Sequence, residues 1–77
     1  MVELISISKA IIVFKTDIDP TIEQEVRILL ADFEEIDAVD FDFEDCDNIL
    51  RIEAKVDISY NVIKILKAYG YYCEELP

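Results

Sequence analysis

The feature that most constrains this chain is the passage from a β-prone run into an amphipathic helix at Asp19 and Pro20. Aspartate is a favoured N-cap because its carboxylate accepts hydrogen bonds from the free amides of the first turn. Proline suits the next position, where its missing amide costs nothing and its fixed φ already matches a helix. Apolar residues then recur at helical spacing at Ile22, Val26, Leu29, Leu30 and Phe33. The stretch predicts a strand from about 10 to 16 and a half-buried helix from about 20 to 33.

Alternating apolar and polar residues after this helix predict a hairpin. Residues 38–44 alternate strictly, which is typical of a strand with one buried and one solvated face. Aspartate and asparagine favour a turn at 45–48, and a second strand returns over 50–54 with Arg51 or Lys55 opposite Asp40 or Asp42. The side chains expected to face the helices are Val39, Phe41, Phe43, Leu50 and Ile52. Those expected to face solvent are Asp40, Asp42 and Glu44.

A second helix and a short last strand complete the chain. Asp57 or Ser59 caps the helix, and Gly70, the only glycine, ends it in a left-handed conformation. Its buried stripe is predicted to be Val62, Ile65, Leu66 and Tyr69. The order strand, helix, strand, strand, helix, strand predicts an α+β, ferredoxin-like βαββαβ domain, with two helices on one face of a four-stranded antiparallel sheet. Residues 1–77 form one domain, in which 1–8 are either an N-terminal extension or the start of the first strand.

The charge restricts the classes of partner. Seven basic and eighteen acidic side chains give a formal net charge of −11. Nucleic-acid binding needs lysine and arginine to release counterions, so no nucleic-acid partner is expected. No apolar run reaches the ~20 residues of a membrane span, and we expect no membrane insertion. The acids either keep the domain soluble or attract a basic protein partner. We expect a monomer or a weak homo-oligomer.

The two cysteines favour a reducing compartment. Cys46 and Cys73 form no Cys-x-x-Cys pair, and the chain has no histidine. Two isolated cysteines make no disulfide framework, which indicates free thiols and a cytoplasmic location. The N-terminus has neither the basic start nor the cleavage site of a signal peptide. Without a histidine or basic cluster to lower its pKa, neither thiol is expected to be reactive.

The acidic residues give weak candidates for a cation site. Asp17 and Asp19 stand before the first helix, where capping and turn formation explain them better than a bound cation. The acids at 40–47 lack the glycine that a calcium loop needs at its sixth position, where Asp45 stands. An enzyme is not expected either, because no histidine, glycine-rich phosphate loop or activated nucleophile is found. We therefore expect no catalytic residue, no metal ligand and no cofactor.

The order and spacing of the apolar segments resemble the heavy-metal-associated (HMA) domain of copper chaperones and metal-pumping ATPases. The resemblance extends over residues 11–75. It rests on four segments, at 11–16, 26–33, 36–43 and 65–71. In that family a Met-x-Cys-x-x-Cys motif follows the first strand, and its two cysteine positions correspond to Asp19 and Ile22. Aspartate and isoleucine supply no soft thiolate pair, so the family's metal site is not carried over.

The resemblance implies the fold and a tendency to dock on another domain. The predicted function is that of a small, non-catalytic HMA-like interaction or adaptor module that has lost its metal site. The alternative is a metal-ion binding or transport protein that uses a non-standard site. The residues expected to form an interaction surface are Asp40, Asp42, Glu44 and Tyr71.

Overall fold

Six regular elements and one 3₁₀ turn follow the predicted order. The computed structural model describes residues 9–44 and 46–77, so the expectation for residues 1–8 lies outside the described residues. A 3₁₀ turn at Pro20–Ile22 precedes the first helix. The elements are β1 (Ala10–Thr16), α1 (Glu23–Leu30), β2 (Ile36–Asp42), β3 (Ile49–Ala54), α2 (Ser59–Ala68) and β4 (Cys73–Glu75).

The four strands form one sheet in the order β2-β3-β1-β4. Every neighbouring pair is antiparallel, which leaves β2 and β4 at the two edges. The buried side chains of both helices belong to the same core as those of the strands, so α1 and α2 cover one face. The α+β, ferredoxin-like prediction is confirmed. β1 is one of the two inner strands, as the apolar residues on both of its faces indicate, and β3 is the other.

Strand register places the core under the helices. Phe14 of β1 lies opposite Leu50 of β3, and both are fully buried. Phe41 of β2 lies opposite the same leucine from the other side and is half-buried, as is Val39. The predicted inward set is therefore confirmed. Its β2 members keep some exposure because β2 is an edge strand with no neighbour beyond it in the described structure.

The second face of the sheet is open to solvent within the described residues. Ile11 of β1 is 55% exposed there and lies opposite Glu53 of β3. Arg51 lies opposite Asp40, as predicted. Lys55 does not reach Asp40 or Asp42, because it follows the end of β3, where the chain passes the start of β2. Its ammonium group binds Asp37 instead, at 2.7 Å.

Several predicted boundaries were wrong by a few residues. The first turn of the helix is 3₁₀, and α1 ends at Leu30 rather than Phe33. β2 begins at Ile36 rather than Ala38, with a register shift between these two residues. Tyr69 is 60% exposed and not buried. It stands after the last turn of α2, where the backbone departs from helical geometry before Gly70 reverses the chain at φ 88°.

Aspartate side chains organise both helix entrances. Asp19 accepts a hydrogen bond from the Thr21 amide at 2.8 Å, and Asp57 accepts one from the Ser59 amide at 2.9 Å. Asp57 is therefore the capping carboxylate at α2, and Ser59 is the first helical residue. The hydrogen bond from the Thr21 hydroxyl, followed by that from its amide, lowers the pKa of Asp19. The Ser59 amide is the main reason that the pKa of Asp57 is lowered. A lowered native pKa stabilises the fold above the ordinary carboxyl pKa, and this contribution is lost as the pH falls through the native value.

Candidate interaction surface

The acidic side of the sheet is formed by the strand β2 and the first residues of the hairpin turn. We call the three exposed side chains Asp40, Asp42 and Glu44 the acidic strip. Asp42 accepts a hydrogen bond from the Glu44 amide at 3.0 Å, which bends the chain out of β2. The cross-strand neighbour of Asp40 is Arg51, but no ion pair within 4.0 Å joins any member of the strip to a base among the described residues. The strip therefore presents largely uncompensated negative charge.

Asp37 at the start of β2 has a different environment. Lys55 binds its carboxylate at 2.7 Å, and Lys9 approaches it at 3.4 Å. The Lys55 hydrogen bond is the main reason that the pKa of Asp37 is lowered. Among the acidic residues of β2, only Asp37 at its beginning is therefore paired with basic side chains of the described residues. Both bases come from outside the stretch between Ile28 and Leu50, which contains no lysine or arginine.

Arg27 of α1 joins the helix layer to β2. Its Nη1 atom donates to the Val39 carbonyl at 2.9 Å, and its Nε atom donates to Glu23 at 2.8 Å. The guanidinium lies 5.2 Å from the centre of the Phe41 ring, within cation–π range. That ring stacks on Phe43 at 5.4 Å. The sequence alone gave no sign of this contact with β2. The Glu23–Arg27 spacing was a local signal only for the ion pair between those two residues.

Two hollows flank β2, one on each face of the sheet. The hollow on the open face has a volume of about 340 Å³ and is bounded by Asp40, Asp42, Ile49 and Arg51. The second, of about 240 Å³, lies between α1 and β2. We call it the α1–β2 groove, and the residues that form its apolar part are Leu30, Ala31, Phe33, Ile36 and Val39. Arg27 and Asp37 also line this groove, so it is partly apolar and partly charged. One face of β2 is thus charged, and the other borders a groove of mixed character.

Tyr71 does not join the acidic strip. It precedes β4, at the opposite edge of the sheet, and its hydroxyl donates to Glu25 of α1 at 3.3 Å. Desolvation and the nearby Glu25 carboxylate raise the pKa of Tyr71. The structure thus brings three of the four expected surface residues together and separates the fourth.

The positions that correspond to the family's cysteines lie in the 3₁₀ turn. Asp19 is exposed and is engaged with Thr21, whereas Ile22 is half-buried and packs against the core. Within residues 9–44 and 46–77, no group of three or more cysteine, aspartate or glutamate side chains is arranged to hold a metal ion. Asp17, the other residue considered for a cation, accepts a hydrogen bond from the Tyr72 amide at 2.9 Å. It thereby ties the exit of β1 to the entry of β4.

The two thiols are free and lie in different environments. Cys46 is exposed in the hairpin turn. Cys73 is 3% exposed at the start of β4, opposite Thr16. Burial raises the pKa of Cys73 to about 12, so its nucleophilic thiolate form is scarce near neutral pH.

We expect one thiol to react with an aromatic disulfide reagent in the native protein and two to react in guanidinium chloride. The native reaction should disappear in Cys46→Ala and persist in Cys73→Ala. Rapid reaction of both thiols in the native state would show that Cys73 is accessible.

The raised pKa of Cys73 also predicts that the unfolding free energy falls between pH 9 and pH 12, because the thiol of the unfolded chain ionises first. Cys73 should contribute up to about 1.4 kcal/mol per pH unit to this fall, and Cys73→Ala should lack that contribution.

Comparison of the chain with protein-family models, curated proteins and solved structures gave no significant match. Within the described residues, no helix is both long and apolar enough to cross a bilayer.

Proposed function

We propose that this chain is a non-catalytic, cytoplasmic interaction module that binds a basic protein partner through the acidic strip. The observation that carries the proposal is the exposure of three acidic side chains along an edge strand, with no ion pair to compensate them among the described residues. Uncompensated charge on one surface steers an oppositely charged partner and raises its association rate. The basic side chains near the sheet pair mainly with other acidic residues, as Lys9 and Lys55 do with Asp37.

The proposal includes descent from an HMA-like domain whose thiolate site has been replaced. The ferredoxin-like order of elements and the position of the 3₁₀ turn after β1 support it. At that turn, Asp19 works as a cap and Ile22 packs against the core, so both residues have structural roles. Interaction through the acidic strip requires no metal.

Neutralising the acidic strip should weaken binding of a labelled decalysine peptide about tenfold. The test variant is Asp40→Asn/Asp42→Asn/Glu44→Gln, in which the amide oxygen introduced at position 42 can still accept the Glu44 amide hydrogen bond. The control is Glu25→Gln/Glu74→Gln/Glu75→Gln, which removes the same charge near the other edge and retains acceptors for Tyr71 and Tyr72. Exposed charge pairs contribute about 0.2–1 kcal/mol each, and about 1.4 kcal/mol corresponds to a tenfold change in affinity. Fluorescence anisotropy at low salt and at about 0.15 M salt gives the dissociation constants.

The test and control variants lose the same number of negative charges and differ in where those charges lie. We expect the control to lose less than about threefold, and the difference between variants to shrink with salt as the Debye length falls to about 8 Å. Equal losses in both variants would mean that only the net charge matters. Absence of decalysine binding at low salt would also contradict the proposal.

A further inference from the structure

We infer that the partner docks on β2 as an added β-strand whose side chains alternate between basic and apolar. The inference rests on the proposed function and specifies the kind of partner segment that the surface fits. It depends on three properties of β2: its free edge, the acids on one of its faces, and the partly apolar α1–β2 groove beside the other.

The free edge comes from the sheet order. β2 has seven residues and is paired only with β3 in the described structure, whereas β4 at the other edge has three residues. The outer backbone groups of an edge strand are a template for another strand. β2 contains no proline and no lysine, two residues that often protect such edges. Its bulge lies at the beginning, between Ile36 and Ala38, so the stretch from Val39 to Asp42 is regular.

The two faces of β2 determine the chemistry of the added strand. Side chains of paired strands lie beside each other on the same face, and they alternate along the strand. Residues beside Asp40 and Asp42 on the open face should be lysine or arginine. A residue beside Val39 should be apolar, because it meets the apolar part of the α1–β2 groove next to Leu30. A residue beside Phe41 should also be apolar, because that ring is only partly buried against the core. The segment that fits is therefore an alternating basic and apolar strand.

A second copy of this chain fits the edge poorly. Pairing two β2 strands would bring Asp40 and Asp42 of each copy beside the same residues of the other, and like charges at such positions are destabilising. Each copy also carries a net charge of −11. Charge complementarity favours a basic partner over self-association.

Arg27 is compatible with strand addition. Its Nη1 atom already donates to the Val39 carbonyl. A carbonyl oxygen has two lone pairs and can accept a second hydrogen bond from an incoming amide. The cation–π contact of Arg27 holds Phe41 in place beside the groove. In the free protein, Arg27 thus covers part of the edge and lines one side of the α1–β2 groove.

Two decapeptides of identical composition test the inference. One alternates lysine and valine, and the other carries five lysines followed by five valines. We expect the alternating peptide to bind at least tenfold more tightly and to slow hydrogen exchange of β2 amides at least tenfold, without protecting β4.

Equal affinities of the two peptides, or binding without protection of β2 amides, would overturn strand addition and leave acidic-strip binding intact. Failure of both peptides and of decalysine to bind would overturn the proposed function itself. Protection of β2 that grows with protein concentration in the absence of peptide would identify a second copy as the occupant.

Filling the α1–β2 groove tests whether apolar side chains of the added strand bind there. Ala31→Phe places a ring at the groove. Its matched control Ala68→Phe places one at a neighbouring hollow on α2, which shares Phe33 with the groove but includes no residue of β2. Both alanines are exposed and stand at helix ends. Ala31→Phe should weaken the alternating peptide about tenfold and leave decalysine binding unchanged, whereas Ala68→Phe should change neither. Unchanged binding of the alternating peptide to Ala31→Phe would exclude the groove as the site for apolar residues.

Discussion

Replacement of Phe14 with alanine should lower the free energy of unfolding by about 3–5 kcal/mol, the usual cost of removing a buried phenylalanine. Phe14 is fully buried in the central strand, where it lies opposite Leu50. It belongs to the core that the sheet shares with both helices, so the surrounding structure can collapse only partly into the space left behind. A small domain has about 5–15 kcal/mol of stability in total. The variant should therefore be close to unfolding, as measured by urea denaturation followed by circular dichroism.

Ile11→Ala is the control for this prediction. Ile11 belongs to the same strand but points to the open face and is 55% exposed. Its replacement should cost less than about 1 kcal/mol, since most of its surface is already in water. Comparable losses in the two variants would mean that the open face of the sheet is covered.

The second large effect is expected at Thr16, the one polar residue among the buried side chains described. Its hydroxyl donates to the Asn48 carbonyl at 2.7 Å and accepts from the Ile18 amide at 3.1 Å. The isosteric change Thr16→Val leaves both backbone groups without this partner. A buried unsatisfied group costs about 1–3 kcal/mol, and we expect a loss of about 2–4 kcal/mol in urea denaturation. Thr16→Ser keeps the hydroxyl and should lose about 1 kcal/mol from its missing methyl group.

Thr16 also matters for the interaction surface. Its amide donates to the Asp47 carbonyl at 3.2 Å, and Asn48 adopts φ 46° in the same turn. These contacts hold the hairpin turn against the end of β1, directly after the acidic strip. We therefore expect Thr16→Val to increase hydrogen exchange in the turn, and Thr16→Ser to leave it near the wild-type rate. Equal stability of the valine and serine variants would contradict the role of the hydroxyl.

Local sequence rules determined most of the secondary structure and the sheet faces. Strict alternation placed Phe41 inward and Asp40 outward, because a strand has a side-chain period of two. The Asp19-Pro20 pair marked the entry to the first helix, since both residues satisfy the chemistry of a helix start. Gly70 marked the end of the second helix, where a positive φ is needed. The absence of bases between Ile28 and Leu50 predicted where negative charge concentrates.

Only the tertiary structure decided which of these features share a surface. It put β2 at a free edge and Tyr71 at the other one, and it directed Lys55 to Asp37 and Arg27 to Val39. It also left Tyr69 in solvent despite its helical spacing, because the helix ends one residue earlier. The α1–β2 groove is likewise formed by residues from separate elements. These contacts join positions 12 to 46 residues apart along the chain, and their geometry depends on how the helices pack on the sheet rather than on any local period.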